Sequence, residues 1–166
     1  SLALRFWIGS NELRKEMKQS ELKIDQPTSN LDSTKIAVVS TFWNQEIIKP
    51  MLDDCLIEFK NHTLQPEVFT VPGAYELPFF SQKLSNTFDV IILLGCIIKG
   101  ETPHFDIISK TISDKVLEVS LNKDTPIIFG VLTTNNEAQA KERASYKGSE
   151  FALSALSVLD ALKKIK

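Results

Sequence analysis

Short apolar runs alternate along this chain with stretches whose apolar residues recur every three or four positions. Residues 35–40 (KIAVVS), 67–71 (EVFTV), 89–95 (DVIILLG) and 126–132 (PIIFGVL) are compact and apolar, and read as strands. The run at 89–95 is almost continuously apolar, as suits a strand buried on both faces of a parallel sheet. Ile48, Met51, Leu52, Cys55, Leu56 and Phe59 recur at helical spacing, with Pro50 in the first turn or at a kink. Residues 74–85 read as a second helix with Pro78 near its start. Residues 102–121 read as a long third helix, with Ile107, Ile108, Ile112, Val116 and Val119 on its apolar side. Residues 137–145 and 148–165 read as two further helices.

The order β-α-β-α-β-α-β-α-α predicts an α/β fold. Right-handed crossovers place helices on both faces, giving a three-layer α/β/α sandwich around a four-stranded parallel sheet. The first 34 residues stand apart. Residues 11–23 are charged with weak helical character, and 25–34 (DQPTSNLDST) have linker composition. The domain is therefore expected over 35–166, after a flexible N-terminal tail over 1–34 that is partly disordered or docked on a partner subunit. The apolar segment 1–10 has neither a basic leader nor a small-residue cleavage pattern, and reads as a tail or a vector-derived remnant.

Composition narrows the class. At 166 residues, one domain with a real core fits better than two. With 43% hydrophobic and 24% charged residues, the chain has the make-up of a soluble globular protein. A formal charge of −2 gives no general attraction to nucleic acid or an anionic membrane. The longest apolar runs are too short to span a bilayer. Cys55 and Cys96 make no disulfide framework, and no cluster suggests a metal. Cytoplasm is the expected compartment.

Ligands of open parallel sheets bind beyond the carboxyl ends of the strands. That points to residues 41–44, 72–76, 96–104 and 133–136. Gly73, Gly95, Gly100 and Gly130 sit at or near these ends, where glycine permits positive φ and close approach to a ligand; for any one of them ordinary turn formation is the better account. The sequence 100–104, GETPH, is more informative. Thr102 is a good N-cap and Pro103 suits the first helical position. A helix starting there aims free N–H groups and its positive end at the strand terminus, making an anion site. His104 beside that site is a candidate for proton transfer, against the alternative of a structural histidine. His62, after the first helix, is expected to be solvated. Trp43 either packs on the sheet end or stacks on a flat heterocycle. Glu76 either balances a helix start or binds ligand hydroxyls. Arg143 alone reads as a solvated helix charge, and Cys96 as a packed thiol.

The segments VPGAYELP (71–78), GCIIKGETPHFD (95–106), GVLTTNNEAQAKER (130–143) and KGSEFA (147–152), with Trp43-Asn44 and Ile47 upstream, resemble the 6,7-dimethyl-8-ribityllumazine synthase family in order and spacing. The resemblance runs from residue 35 to the C-terminus. It implies a flavodoxin-like fold and an enzyme without metal or organic cofactor. Such an enzyme condenses 5-amino-6-(D-ribitylamino)uracil with 3,4-dihydroxy-2-butanone 4-phosphate in the penultimate step of riboflavin biosynthesis. By the same resemblance, Trp43 would stack on the pyrimidine, and Ala74, Tyr75 and Glu76 would line the ribityl chain. Ile97 and Ile98 would contact the ring, Glu101 and Thr102 would hold phosphate, and His104 would be the acid–base group. Phe129 would come from a neighbouring subunit, Arg143 would pair with phosphate, and Lys147 would reach the pyrimidine carbonyl side. The family forms homopentamers, and some members pair into decamers or close into icosahedral 60-mers. Two departures stand out: Phe42 replaces the arginine common before the aromatic ring residue, and the connection 144–146 (ASY) is shorter than usual. They leave open a catalytically weak paralogue that binds riboflavin or lumazine. A generic phosphate or nucleotide binder explains the fold but not four motifs in register.

Overall fold

The computed structural model describes residues 26–165. The four apolar runs form β1 (Ile36–Thr41), β2 (Glu67–Val71), β3 (Val90–Ile98) and β4 (Ile127–Thr134). They make one parallel sheet in the order β2-β1-β3-β4. Four helices connect and flank it: α1 (Gln45–Asn61), α2 (Leu77–Leu84) after a 3-10 turn at Ala74–Glu76, α3 (His104–Lys123) and α4 (Glu137–Lys163). This is the expected three-layer sandwich.

Strand alternation sorts the core into two halves. Ile36, Val38, Ile92, Leu94 and Cys96 face α1 and α4, meeting Met51, Phe59 and Leu156. Ala37, Val39, Ile91 and Leu93 face α2 and α3, meeting Leu77, Ile112 and Val116. Phe59, Met51, Leu77, Ile112 and Leu156 are fully buried. Side chains of that size stabilise the fold by about 1.5–3 kcal/mol each.

The structure corrects several expectations. β3 continues to Ile98 and β4 to Thr134, because Cys96, Ile97 and Ile98 keep pairing with Leu132, Thr133 and Thr134. Ile107 is 63% exposed, since helical phase sets it about half a turn from buried Val116. His62 is not solvated: its Nε2 lies 3.2 Å from Glu58 Oε1 and its side chain is only 16% exposed.

The two C-terminal helices are one, α4, and residues 144–146 are part of it rather than a shortened loop. Gly148 looks like a break, yet it marks a close approach. A Cβ there would stand 2.1 Å from Met51 O and 2.8 Å from Cys55 N, so only glycine lets α4 lie on the backbone of α1. Beside it, Ser149 N donates to Asp54 Oδ2 at 2.6 Å. A carboxylate of α1 thus does mid-helix what an N-cap does at a helix start.

The expectation of a flexible tail falls, for residues 1–25, outside the described residues. Residues 26–34 dock on their own chain. Leu31 is buried, and the N–H groups of Thr28 and Ser29 donate to Asp160 Oδ1 at 3.1 and 2.7 Å. Lys164 Nζ lies 3.4 Å from the same carboxylate. The hydrogen bonds from Ser29, helped by Lys164, hold the Asp160 carboxyl down to about 2 from its ordinary 3.8.

Two predictions follow from these contacts. Gly148→Ala should destabilise the chain by roughly 1–3 kcal/mol through overpacking; an unchanged urea midpoint would refute the close approach. For Asp160 the folded pKa is the lower one, so its contribution is complete above about pH 4 and is lost as pH falls toward 2. Asp160→Asn should therefore lower Tm at neutral pH and flatten its acid dependence. Parallel Tm–pH curves for variant and wild type would show that the clamp does not form.

Candidate active site

The carboxyl ends of the strands form one rim, and the first two turns on it are bonded together. Phe42 N donates to Val71 O at 2.8 Å and Trp43 N to Pro72 O at 3.0 Å, extending the β1–β2 ladder past the strands. The Trp43 ring is left 71% exposed. In the second turn Gly73 N donates to Glu76 Oε2 at 2.9 Å. Glu76 therefore has its structural role at the helix start, while a carboxylate keeps further acceptor sites for ligand hydroxyls. Ala74 is half-buried against the core, and Tyr75 is 71% exposed.

The third exit leads from β3 to α3. Ile97 and Ile98 are half-buried and sit on opposite faces of the sheet, Ile97 toward α2 and α3 and Ile98 toward α1 and α4. Lys99 N donates to Thr134 O at 2.8 Å, closing the ladder. Glu101 and Thr102 are exposed. The helix begins at His104, with Pro103 rather than Thr102 as N-cap and no side-chain capping bond. Pro103 has ψ near 0, which delays the helix by a residue and leaves Thr102 outside it. The first N–H groups of α3, which lack intrahelical partners, still open onto the rim beside the exposed imidazole of His104. Cys96 is buried, and that burial pushes its thiol up to about 11, so it is a packed thiol and no nucleophile.

At the fourth exit Asn136 Oδ1 accepts from Gln139 N at 2.9 Å, capping α4, while Gln139 Oε1 accepts from Asn135 N at 2.9 Å. Arg143 Nη1 donates to Thr133 O at 3.2 Å, which anchors the guanidinium at the end of β4. Lys147 lies one turn farther down α4 and pairs with Glu150 at 2.8 Å. Phe129 pairs with Leu93, five rungs before the Ile98–Thr134 pair and roughly 16 Å down the strand. One chain thus brings ten of the twelve expected residues to its rim, but neither Phe129 nor Lys147. Two larger cavities lie elsewhere. One of ≈ 680 Å³, lined by Thr34, Asp89 and Pro126, is at the amino ends of the strands. The other, of ≈ 730 Å³, lies between α1 and β2. No group of metal-binding side chains occurs among the described residues, and none of their helices is long and apolar enough to cross a membrane.

Sequence reasoning passed over the groups that hold the first turn. Gln45 Nε2 donates to Thr41 O at 2.8 Å, and Asn44 has φ 64 and ψ 39. An asparagine directly before a helix pattern is the signal available for the second of these, since asparagine tolerates that region better than most residues.

A parallel sheet in the order β2-β1-β3-β4, with helices on both faces and the candidate side chains along its carboxyl rim, defines a flavodoxin-like α/β fold. The model of the 6,7-dimethyl-8-ribityllumazine synthase family matches residues 33–163. The synthase of Thermococcus kodakarensis is 34% identical over 152 residues, covering 88% of this chain and 97% of that protein. That of Clostridium kluyveri is 35% identical, covering 87% and 100%. That of Prochlorococcus marinus strain NATL1A is 39% identical, covering 80% and 92%. The chain belongs to the 6,7-dimethyl-8-ribityllumazine synthase family.

Proposed function

We propose that this chain condenses 5-amino-6-(D-ribitylamino)uracil with 3,4-dihydroxy-2-butanone 4-phosphate, giving 6,7-dimethyl-8-ribityllumazine, phosphate and water, the penultimate step of riboflavin biosynthesis. The observation that carries the reading is the start of α3 at the sheet rim, with His104 as its first residue, in a chain of this family. The relatives quoted above are named as the synthase, which favours turnover over a binding-only role.

The chemistry is the one the family resemblance implies, and the positions of the candidate groups on the rim support it. The amine of the pyrimidine attacks the ketone and forms an imine with loss of water, phosphate is eliminated, and the second amine closes the ring on the remaining carbonyl with loss of another water. Trp43 stacks on the pyrimidine, while Ala74, Tyr75 and Glu76 line the ribityl chain, whose hydroxyls donate to the Glu76 carboxylate. Ile97 and Ile98 border the ring. The α3 N–H groups, with Glu101 and Thr102, hold the phosphate, and Arg143 balances its charge. His104 moves protons between the amine, the imine and the leaving group. No metal or organic cofactor is required by these steps.

The working form is a homopentamer in this reading. Phe129 lies too far down β4 to serve its own rim, which supports its assignment to a neighbour's site, and Lys147 is assigned to the pyrimidine carbonyl side. Phe42, 65% exposed, is a surface that a neighbour covers in this reading. Pairing into decamers or closing into icosahedral 60-mers builds on the same unit. The enzyme works in the cytoplasm, where the free thiols of Cys55 and Cys96 stay reduced.

Mixing both substrates with pure protein should give fluorescent lumazine and free phosphate; product no faster than the uncatalysed background refutes the activity. Light scattering should give five times the 18.7 kDa chain, or a multiple of that unit. His104→Ala should slow turnover by about 10–10⁴-fold, toward the lower end because proximity carries part of the rate, and an unchanged rate would remove it from the mechanism. Arg143→Ala should raise KM for the butanone phosphate more than for the pyrimidine; the opposite order would displace it from the phosphate.

A further inference from the structure

Trp43 carries its ring on a backbone pinned at both of its polar groups. Its N–H donates to Pro72 O at 3.0 Å, and its carbonyl accepts from Thr41 Oγ1 at 3.3 Å. On one side Phe42 N is held by Val71 O at 2.8 Å. On the other, Asn44 stands in the left-handed region, and its carbonyl accepts from Ile47 N and Ile48 N, both at 2.9 Å, to start α1. Gln45 reaches back across the turn, its Nε2 donating to Thr41 O at 2.8 Å. The turn is thereby closed between two buried residues, Thr41 and Ile47.

Folding alone does not account for this construction. Tryptophan stabilises a fold by being buried, yet this ring is 71% exposed. A non-glycine residue at positive φ costs free energy and persists where the surroundings enforce it. What the bonds fix is the Trp43 backbone, and with it the direction in which the side chain leaves the turn. They also fix its place relative to Glu76, because the Pro72 carbonyl that binds Trp43 N opens the turn in which Glu76 binds Gly73 N.

We infer that Asn44 and Gln45 are positioning residues: through the left-handed turn and the Thr41 bond they set the Trp43 ring at the rim, and so tune affinity for the pyrimidine substrate and not for the phosphorylated one. This rests on the reading of Trp43 as the ring platform. Glycine adopts the left-handed conformation freely, whereas a β-branched residue is driven from it.

The test is steady-state KM for each substrate in wild type, Asn44→Val, Asn44→Gly, Gln45→Ala and Trp43→Ala. Asn44→Val should raise KM for the pyrimidine about tenfold, the scale of forcing a side chain into the left-handed region. KM for the butanone phosphate and kcat should change little. Asn44→Gly should recover most of the loss, and Gln45→Ala should show a smaller rise confined to the pyrimidine. A wild-type pyrimidine KM in Asn44→Val, an equal rise for both substrates, or no recovery with glycine overturns the inference. If Asn44→Val does not fold, Gln45→Ala decides, and an unchanged pyrimidine KM there overturns it. Trp43→Ala separates the two levels. No change in pyrimidine KM with that variant sinks the ring-platform reading itself. A rise there without one in the Asn44 or Gln45 variants sinks only the positioning role.

Discussion

The site depends on the burial of β3 on both faces. Val90, Ile91, Ile92, Leu93 and Leu94 are wholly covered, on one side by α1 and α4 and on the other by α2 and α3. A strand sealed this way meets solvent only at its ends, and in a parallel sheet all carboxyl ends share one rim. The chain leaves β1 toward β2 but leaves β3 toward β4, so the connections diverge between the two central strands. Ligand sites of open α/β sheets lie at such a divergence. Trp43, Glu76, His104 and Arg143 sit on the four exits from that rim because the core leaves them no other free edge.

The elements legible from sequence were those whose signal is local. An apolar run such as 90–94 reads as a buried strand without knowledge of its neighbours, and the start of α3 beyond β3 was visible in Gly100, Pro103 and His104. Most of the misreadings involve a partner distant in the chain, an exact phase or a single dihedral. Gly148 looked like a boundary because what occupies the missing Cβ's space is the backbone of α1, and what supports the helix there is Asp54, 95 residues away. Ile107 looked like core until helical phase set it opposite Val116. Thr102 lost its cap role to a single dihedral, the ψ of Pro103. At the site, residue types were legible while their bonding was not: no local pattern announces that Pro72 holds Trp43 or that Thr133 holds Arg143.

The rim also shows how labour is divided. The ring side, Trp43 with Glu76, is built from two turns bonded to each other, so its geometry is stiff. In the proposed reading the anion side is the start of α3 with the tethered Arg143, which would recognise charge more than shape. A stiff aromatic platform and an electrostatic cradle on one rim would suit a reaction that joins a flat ring to a small, flexible chain, because orientation is supplied by one and attraction by the other.

The Asp160 clamp has a consequence for anyone attaching something to this chain. It fixes the point where the chain enters the described fold at the far end of α4, seventeen residues and roughly 25 Å beyond Arg143. The end of α4 lies at that same pole. A peptide, dye or second protein attached directly after α4 would therefore leave the fold on the side of the molecule away from the candidate site.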